Sequence, residues 1–223
     1  MKGLLLIVAV SVVGLAMFSG CTPGGKASIQ FDRSFFYDKD GKFVEDRAKD
    51  AYVAVMKYHG YPVYPGIRKK LWVTDYGTGQ FDKLGLGAVT WVNNEKHRYM
   101  QMDIYLLPNQ MLPEHWHLKS EKNPAKLEGW LVRHGLSHIV GDGEPNLGKD
   151  VVIPKCHMGG KAETMHEVVA TPGTFVPLNR ALAKHWQFAG PEGAIITEVA
   201  NVHTGDAVRH NDKALNDHFL GKK

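Results

Sequence analysis

A chain of 223 residues is long enough for one full domain that buries most of its apolar surface without disulfide bonds. Its composition, 43% hydrophobic, 22% charged and 10% aromatic, is ordinary for a soluble globular protein and excludes collagen-like, low-complexity and largely disordered chains. The net charge of +4 comes from 27 basic and 23 acidic side chains scattered along the chain, which argues against a nucleic-acid partner. Twelve histidines are many for this length, and ten lie at or after His115, so metal chemistry is expected there.

The first residues predict an export signal. A charged start at Lys2 precedes an apolar run over residues 3–18 that is too short to span a bilayer comfortably. The sequence Phe-Ser-Gly-Cys, ending at Cys21, resembles the lipobox of bacterial lipoproteins, in which the cysteine is lipidated and becomes the mature N-terminus. The Gly-containing stretch 22–28 is typical of a flexible tether. The alternative is a plain cleaved signal or an uncleaved anchor.

These features divide the chain into three parts. We expect a signal peptide over residues 1–20, a tether and lead-in segment over residues 21–40, and a single domain over residues 41–223. The protein is then expected to be exported and held on the periplasmic or outer face of the cell envelope, touching the membrane through its lipid anchor only.

The domain is predicted to be mostly β. A helix is expected over residues 44–59, where apolar residues recur at steps of three and four before Gly60 and Pro62 end it. After Tyr64 the pattern changes to short apolar runs between turn residues, which is typical of a β-sandwich or barrel. The predicted strands are 71–74, 87–92, 100–107, 129–140, 173–177, 185–188 and 194–199, and a short helix is predicted within 211–220.

The strongest chemical signal is a pair of alternate histidines, His115 and His117. On a strand this spacing puts both imidazoles on the same face, and the apolar segment 106–113 delivers them from the interior. Glu128 opens the next predicted strand, and His185 opens a later one. Three histidines and one glutamate suit Mn, Fe, Zn, Co or Ni and leave coordination positions open for a substrate.

Residues 185–199 predict a β-hairpin whose loop is centred on Pro191 and Glu192. A loop of even length there would pair residue 185 with residue 198, which would place Glu198 beside His185 on the same face. A loop of odd length would not.

The metal motif resembles that of the cupin superfamily, in the segment Pro-Asn-Gln-Met-Leu-Pro-Glu-His-Trp-His that ends at His117. The long step from His117 to Glu128, the phrase Leu-Pro-Glu-His-Trp-His and the endings 196–203 and 206–209 are similar to the D-lyxose isomerase family of cupins, over residues 44–219 or so. The resemblance implies an all-β cupin (jelly-roll) barrel with an N-terminal helix and short helical additions, often dimeric. It also implies one divalent metal ion per chain, Mn by preference, with these ligands: His115, His117, Glu128 and His185.

Four polar residues are further candidates. Lys119 continues the face of His115, and Lys126 shares the face of Glu128, so either ammonium is a candidate to stabilise a developing enediolate oxygen. The polar connection that holds them favours a solvated loop as the alternative, above all for Lys126. Asp206 and Arg209 are candidates to bind sugar hydroxyls or to form a salt bridge. Three more residues are expected to face outward or to lie at the surface or pocket rim: Glu114, His203 and His210.

We therefore expect an aldose–ketose isomerase that acts on a sugar through an enediol. Glu198 is the expected catalytic base that moves the proton between C2 and C1, with a metal-assisted hydride shift as the competing route. Two other classes remain open, an Fe(II)-dependent cupin dioxygenase and a sugar-binding lipoprotein without catalytic activity.

Overall fold

A curled antiparallel sheet dominates the described part of the chain, residues 28–222 of this computed structural model. Its strands are β1 (Trp72–Thr74), β2 (Leu86–Asn94), β3 (Tyr99–Leu106), β4 (Met111–His117), β5 (Glu128–Gly141), β6 (His166–Ala170), β7 (Phe175–Pro177), β8 (His185–Ala200) and β9 (Val208–His210). The helices are α1 (Arg33–Phe36), α2 (Glu45–Tyr58), α3 (Ile67–Lys70) and α4 (Lys213–Phe219), with a 3-10 turn at Gly205–Ala207. The prediction of a mostly β domain with helical additions is confirmed.

The longest strand, β8, lies in the middle of this half-barrel and pairs with three other strands. Its first part pairs with β4 and its second part with β3, while β5 lies along its other edge for the whole length. The pairing of the two long strands shifts register beside Gly135, which pairs with Ala194, the neighbour of Gly193. Both glycines have positive φ, +73° and +74°. A Cβ on Gly135 would lie 2.0 Å from the carbonyl oxygen of Gly193, so this crossing requires glycine.

The predicted hairpin around Pro191 is wrong. Residues 186–189 and 194–200 both pair with β5 in the same antiparallel direction, on either side of a register shift, so the chain does not turn back on itself. The glycine-rich segment between them forms an irregularity in a continuous strand, which has the same sequence signature as a turn. His185 and Glu198 therefore are not cross-strand partners, and their positions at the site have a different origin.

Helix α2 forms as the sequence predicts and packs on the outer face of the sheet. Ala48, Ala51, Tyr52 and Val55 are completely buried along one side of the helix, and Gly60 follows its end with a φ of +65°. Burial of a large apolar side chain such as that of Val55 stabilises the fold by about 1.5–3 kcal/mol. The helix thus covers one face of the sheet and leaves the concave face to form the site.

The segment that enters the domain is partly packed. Ile29, Phe36 and Tyr37, within the segment expected to be tether and lead-in, are buried against α2 in the outer core. No helix within residues 28–222 is long and apolar enough to cross a membrane. The predicted signal peptide and Cys21 lie outside the described residues.

Candidate functional site

Three histidines from neighbouring strands lie side by side on the concave face. In the ladders, His115 of β4 is flanked by His185 of β8 on one side and by His210 of β9 on the other. His117 follows on the same face of β4, as its spacing predicts. The ligand atoms of His115, His117 and His185 all lie within 4.8 Å of one another.

Backbone carbonyls fix which ring nitrogen of two of these histidines carries the proton. Nδ1 of His115 lies 2.8 Å from the carbonyl oxygen of Pro113, and Nδ1 of His185 lies 3.0 Å from that of Ala183. Because a carbonyl oxygen only accepts, each Nδ1 donates its hydrogen, and in the neutral form of the ring Nε2 is the nitrogen that carries the free lone pair. Such a backbone partner on Nδ1 is typical of metal-binding histidines.

The carboxylate of Glu128 lies beside two of these imidazoles, those of His117 and His185. Its Oε1 lies 3.0 Å from Nε2 of His117 and 3.3 Å from Nε2 of His185, but these atoms do not have hydrogen-bond geometry, and they are buried without a hydrogen-bond partner. Burial lowers the pKa of His117 to about 4 and, helped by the neighbouring imidazoles, holds that of His115 well below its usual range. Imidazole nitrogens and a carboxylate oxygen that converge without hydrogen bonds between them fit a divalent cation.

A buried lysine links this cluster to a second carboxylate. Nζ of Lys126 lies 2.6 Å from Oε2 of Glu128 and forms a short ion pair with Oε1 of Glu198, while Nε1 of Trp130 donates to Oε2 of Glu198 at 3.2 Å. Burial opposes the charge of Lys126, but the two carboxylates outweigh it and raise its pKa. Burial raises the pKa of Glu198 to about 7, a value that suits a general base at neutral pH.

The cluster opens into a small cavity of about 60 Å³ on the concave side of the sheet. One part of its wall is polar and the other is apolar. The polar side chains are His115, His117, Lys126, Glu198, His203 and His210. The apolar and aromatic side chains are Trp72, Tyr76, Leu86, Met102, Ile104, Leu112, Val208 and Phe219.

Three predicted site residues lie away from this cavity. Lys119 is exposed because β4 ends at His117, so the alternation that aligned it with His115 does not continue. Asp206 is exposed, and the guanidinium of Arg209 donates to the backbone oxygens of Asp206 and Val208, each at 2.7 Å. Arg209 faces away because its strand neighbours, Val208 and His210, are the ones that line the cavity.

The environments of four other residues match the expectation only in part. Lys126 is only 3% exposed, so a solvated position is wrong for it. His203 and His210 line the cavity, and burial lowers their pKa values to about 3 and about 4. The alternation of β9 was the available signal for His210. Glu114 does face away from the cavity, but it is completely buried and accepts hydrogen bonds from the Glu163 and Thr164 backbone amides at 3.0 and 2.8 Å.

Replacing Lys126 by methionine is expected to lower the free energy of unfolding by about 3–5 kcal/mol. The change keeps the apolar stem but leaves the carboxylates of Glu128 and Glu198 buried without their counter-charge. Chemical denaturation measures the loss. Lys119→Met is the matched control, because its exposed ammonium should contribute less than about 0.5 kcal/mol. Equal unfolding free energies for the two variants would contradict the importance of the buried ion pairs.

Comparison with known proteins gives several relatives. No protein-family profile matches the chain. It is 32% identical to the D-lyxose ketol-isomerase of Cohnella laeviribosi over 156 aligned residues. The alignment covers 69% of this chain and 82% of that protein. It is 29% identical over 147 residues to the D-lyxose/D-mannose isomerase of Thermosediminibacter oceani, which covers 65% of this chain and 77% of the relative.

The solved structures show the fold. The L-ribose isomerase of Cellulomonas parahominis, in its L-ribose complex, superposes with a TM-score of 0.55 over 84% of this chain and 98% of that one, at 13% sequence identity. The predicted all-β cupin fold is confirmed by this likeness together with the curled antiparallel sheet.

Proposed function

The chain belongs to the D-lyxose ketol-isomerase family, and on that premise we propose that it is a metal-dependent aldose–ketose isomerase of the D-lyxose/D-xylulose type. Two relatives are named for D-lyxose alone and one for D-lyxose and D-mannose. Both sugars are aldoses. One observation carries the proposal. A second buried carboxylate, Glu198, lines the same small cavity as His115 and His117 and is joined to Glu128 through Lys126.

We propose that His115, His117, Glu128 and His185 hold one divalent metal ion per chain. The free Nε2 lone pairs and the unshared carboxylate oxygen support this assignment. Mn is the metal proposed first, and Zn, Fe, Co and Ni are compatible with the same donors. The bound ion would act as a Lewis acid that polarises the sugar carbonyl and makes the neighbouring C–H more acidic.

Glu198 is the residue we assign to proton transfer. Its carboxylate takes the proton from C2 of the aldose and returns it to C1, while the proton of the C2 hydroxyl moves to the C1 oxygen, which converts the aldose through an enediol into the ketose. Trp130 fixes one oxygen of this carboxylate by its hydrogen bond, and Lys126 holds the other. The Lys126 ammonium also stabilises negative charge that develops on the sugar oxygens, because its charge is buried in the cavity wall.

Elemental analysis of the purified protein and a screen of pentoses and hexoses test the function. We expect one divalent metal ion per chain and conversion of D-lyxose to D-xylulose that stops after chelation and returns with metal. A dioxygenase would instead retain Fe(II) and consume oxygen. A binding protein would bind a sugar without converting it. Either result, with no aldose–ketose conversion, would contradict the proposal.

We propose further that the mature protein is anchored outside the cytoplasm through Cys21. The apolar run ending in Ser-Gly-Cys supports this. The native protein is expected to partition into detergent with the membrane fraction, and Cys21→Ala should abolish that partitioning because the lipid attachment site is lost. Native protein found in the cytosol with Met1 intact would count against export.

A further inference from the structure

The cavity beside the cluster is too small for the sugar it is proposed to bind. Its volume of about 60 Å³ is far below the roughly 300–1,000 Å³ of sites that enclose small molecules. Part of the wall therefore has to move when a sugar enters.

A second cavity does not solve this problem. It is larger, about 260 Å³, and reaches the cluster only at Trp130 and His185. Neither Lys126 nor Glu198 lines it, so a sugar held there would not meet the proposed base. Of these two cavities, the small one is lined by the proposed base together with two of the proposed metal ligands, His115 and His117.

The wall is not equally fixed on all sides. Met102 and Ile104 belong to β3, whose ladders with β2 and β8 hold them on both sides, and Leu86 pairs with Thr74 of β1. Phe219 is different, because it lies on α4, a helix of only seven residues in which Leu215 alone is fully buried. Helices this short depend on their contacts with the rest of the protein for stability.

A few polar contacts hold α4 over the cavity. Asp212 caps its N-terminus by accepting from the amides of Ala214 and Leu215 at 2.8 and 3.3 Å, and Asn216 accepts from the His210 amide at 3.2 Å. The ring of Phe219 then lies 5.4 Å from the ring of His210, which is itself 5.8 Å from that of His115. Phe219 is thus two ring contacts away from the cluster.

We propose, on the basis of the function proposed above, that Phe219 limits the length of the aldose that the site accepts. Helix α4 moves outward to admit the sugar and closes with Phe219 against the end of the sugar remote from the metal-binding residues. A shorter side chain at this position leaves room for one more carbon, while the cluster and the base are unchanged.

D-lyxose and D-mannose are a suitable pair of substrates, because the mannose ring is the lyxose ring with one added hydroxymethyl group. Phe219→Ala is expected to raise the ratio of kcat/KM for D-mannose over D-lyxose by about tenfold or more, the usual effect of one carbon in a shaped pocket. Phe219→Leu, which keeps an apolar contact for α4, should give an intermediate ratio. Leu220→Ala is the control, since the neighbouring Leu220 does not line the cavity.

A binding measurement provides a readout that does not depend on turnover. The reduced sugars D-arabinitol and D-mannitol lack the carbonyl, and their effect on the thermal unfolding midpoint reports binding alone. We expect the shift in unfolding midpoint caused by D-mannitol, relative to the shift caused by D-arabinitol, to be larger in Phe219→Ala than in wild-type protein. Phe219→Leu should again give an intermediate value. A general loss of stability lowers the midpoint for both polyols but does not change their relative effect.

The outcomes separate this proposal from the function on which it rests. If wild-type protein converts aldoses and both Phe219 variants keep its substrate ratio and polyol preference, Phe219 does not limit sugar length. If wild-type protein converts no aldose, the proposed function fails, and the polyol comparison alone decides whether Phe219 selects by length. Absence of both conversion and polyol protection overturns the two together.

Discussion

The double variant His115→Ala/His117→Ala is expected to contain almost no divalent metal and to have no measurable isomerase activity. Two of the four proposed ligands are lost, and the remaining two, Glu128 and His185, are too few to hold the ion tightly. The physical reason is that the site gains its affinity from several donors held together by three strands. Metal content per chain, measured by elemental analysis beside wild-type protein, checks the result.

A matched control removes two histidines elsewhere. His59 and His134 lie with their ring centroids 5.6 Å apart, away from the cavity. The variant His59→Ala/His134→Ala is therefore expected to keep both its metal and its activity. Full metal occupancy in the His115→Ala/His117→Ala protein would show that the cluster is not the metal site.

Local patterns were sufficient for the elements that depend on neighbouring residues. The three- and four-residue spacing over residues 44–59 predicts a helix, and α2 forms there. The alternation of His115 and His117 predicts a shared strand face, and both imidazoles lie on it. These features are encoded within one or two turns of chain, so a single sequence is enough to find them.

Features that depend on long-range packing were not predictable in the same way. Lys119 and Lys126 have the same residue type in one polar connection, yet only Lys126 is buried, because Glu128 and Glu198 meet it from two strands. Glu114 was expected to face outward, and it is buried because Glu163 and Thr164 cover that face of β4. Alternation gives the face of a side chain and not what covers it.

The glycines of β8 show most clearly that local sequence does not determine how a segment pairs. The segment 190–193 has the composition of a turn, and the same composition suits an irregularity at which the pairing of β8 with β5 shifts register and then resumes in the same direction. The predicted hairpin was therefore wrong, although Glu198 does line the cavity. It lies there because it pairs with Trp130 of β5 and Met102 of β3 in the ladders, on the concave face of the sheet.

Glu198→Gln is expected to keep its metal and its affinity for sugar while losing most of its turnover. The amide has the shape and polarity of the carboxylate but cannot accept the C2 proton, and a positioned acid–base group contributes about 10²–10⁴-fold to rate. Val199→Ala is a suitable control, because this next residue along β8 is 43% exposed and does not line the cavity. Metal content, sugar binding and kcat measured on both variants separate a catalytic carboxylate from a ligand.

Two alternative roles for Glu198 predict different results. If Glu198 is a further metal ligand, Glu198→Gln will contain less metal. If Glu198 only orients the neighbouring side chains, Glu198→Gln will keep a larger part of the turnover. Exchange of the C2 hydrogen with solvent deuterium provides the decisive comparison, because proton transfer through an enediol allows exchange and a hydride shift does not. We expect wild-type enzyme to show this exchange and Glu198→Gln to lose it. Isomerisation by wild-type enzyme without any exchange would remove the support for Glu198 as the base and favour the hydride shift.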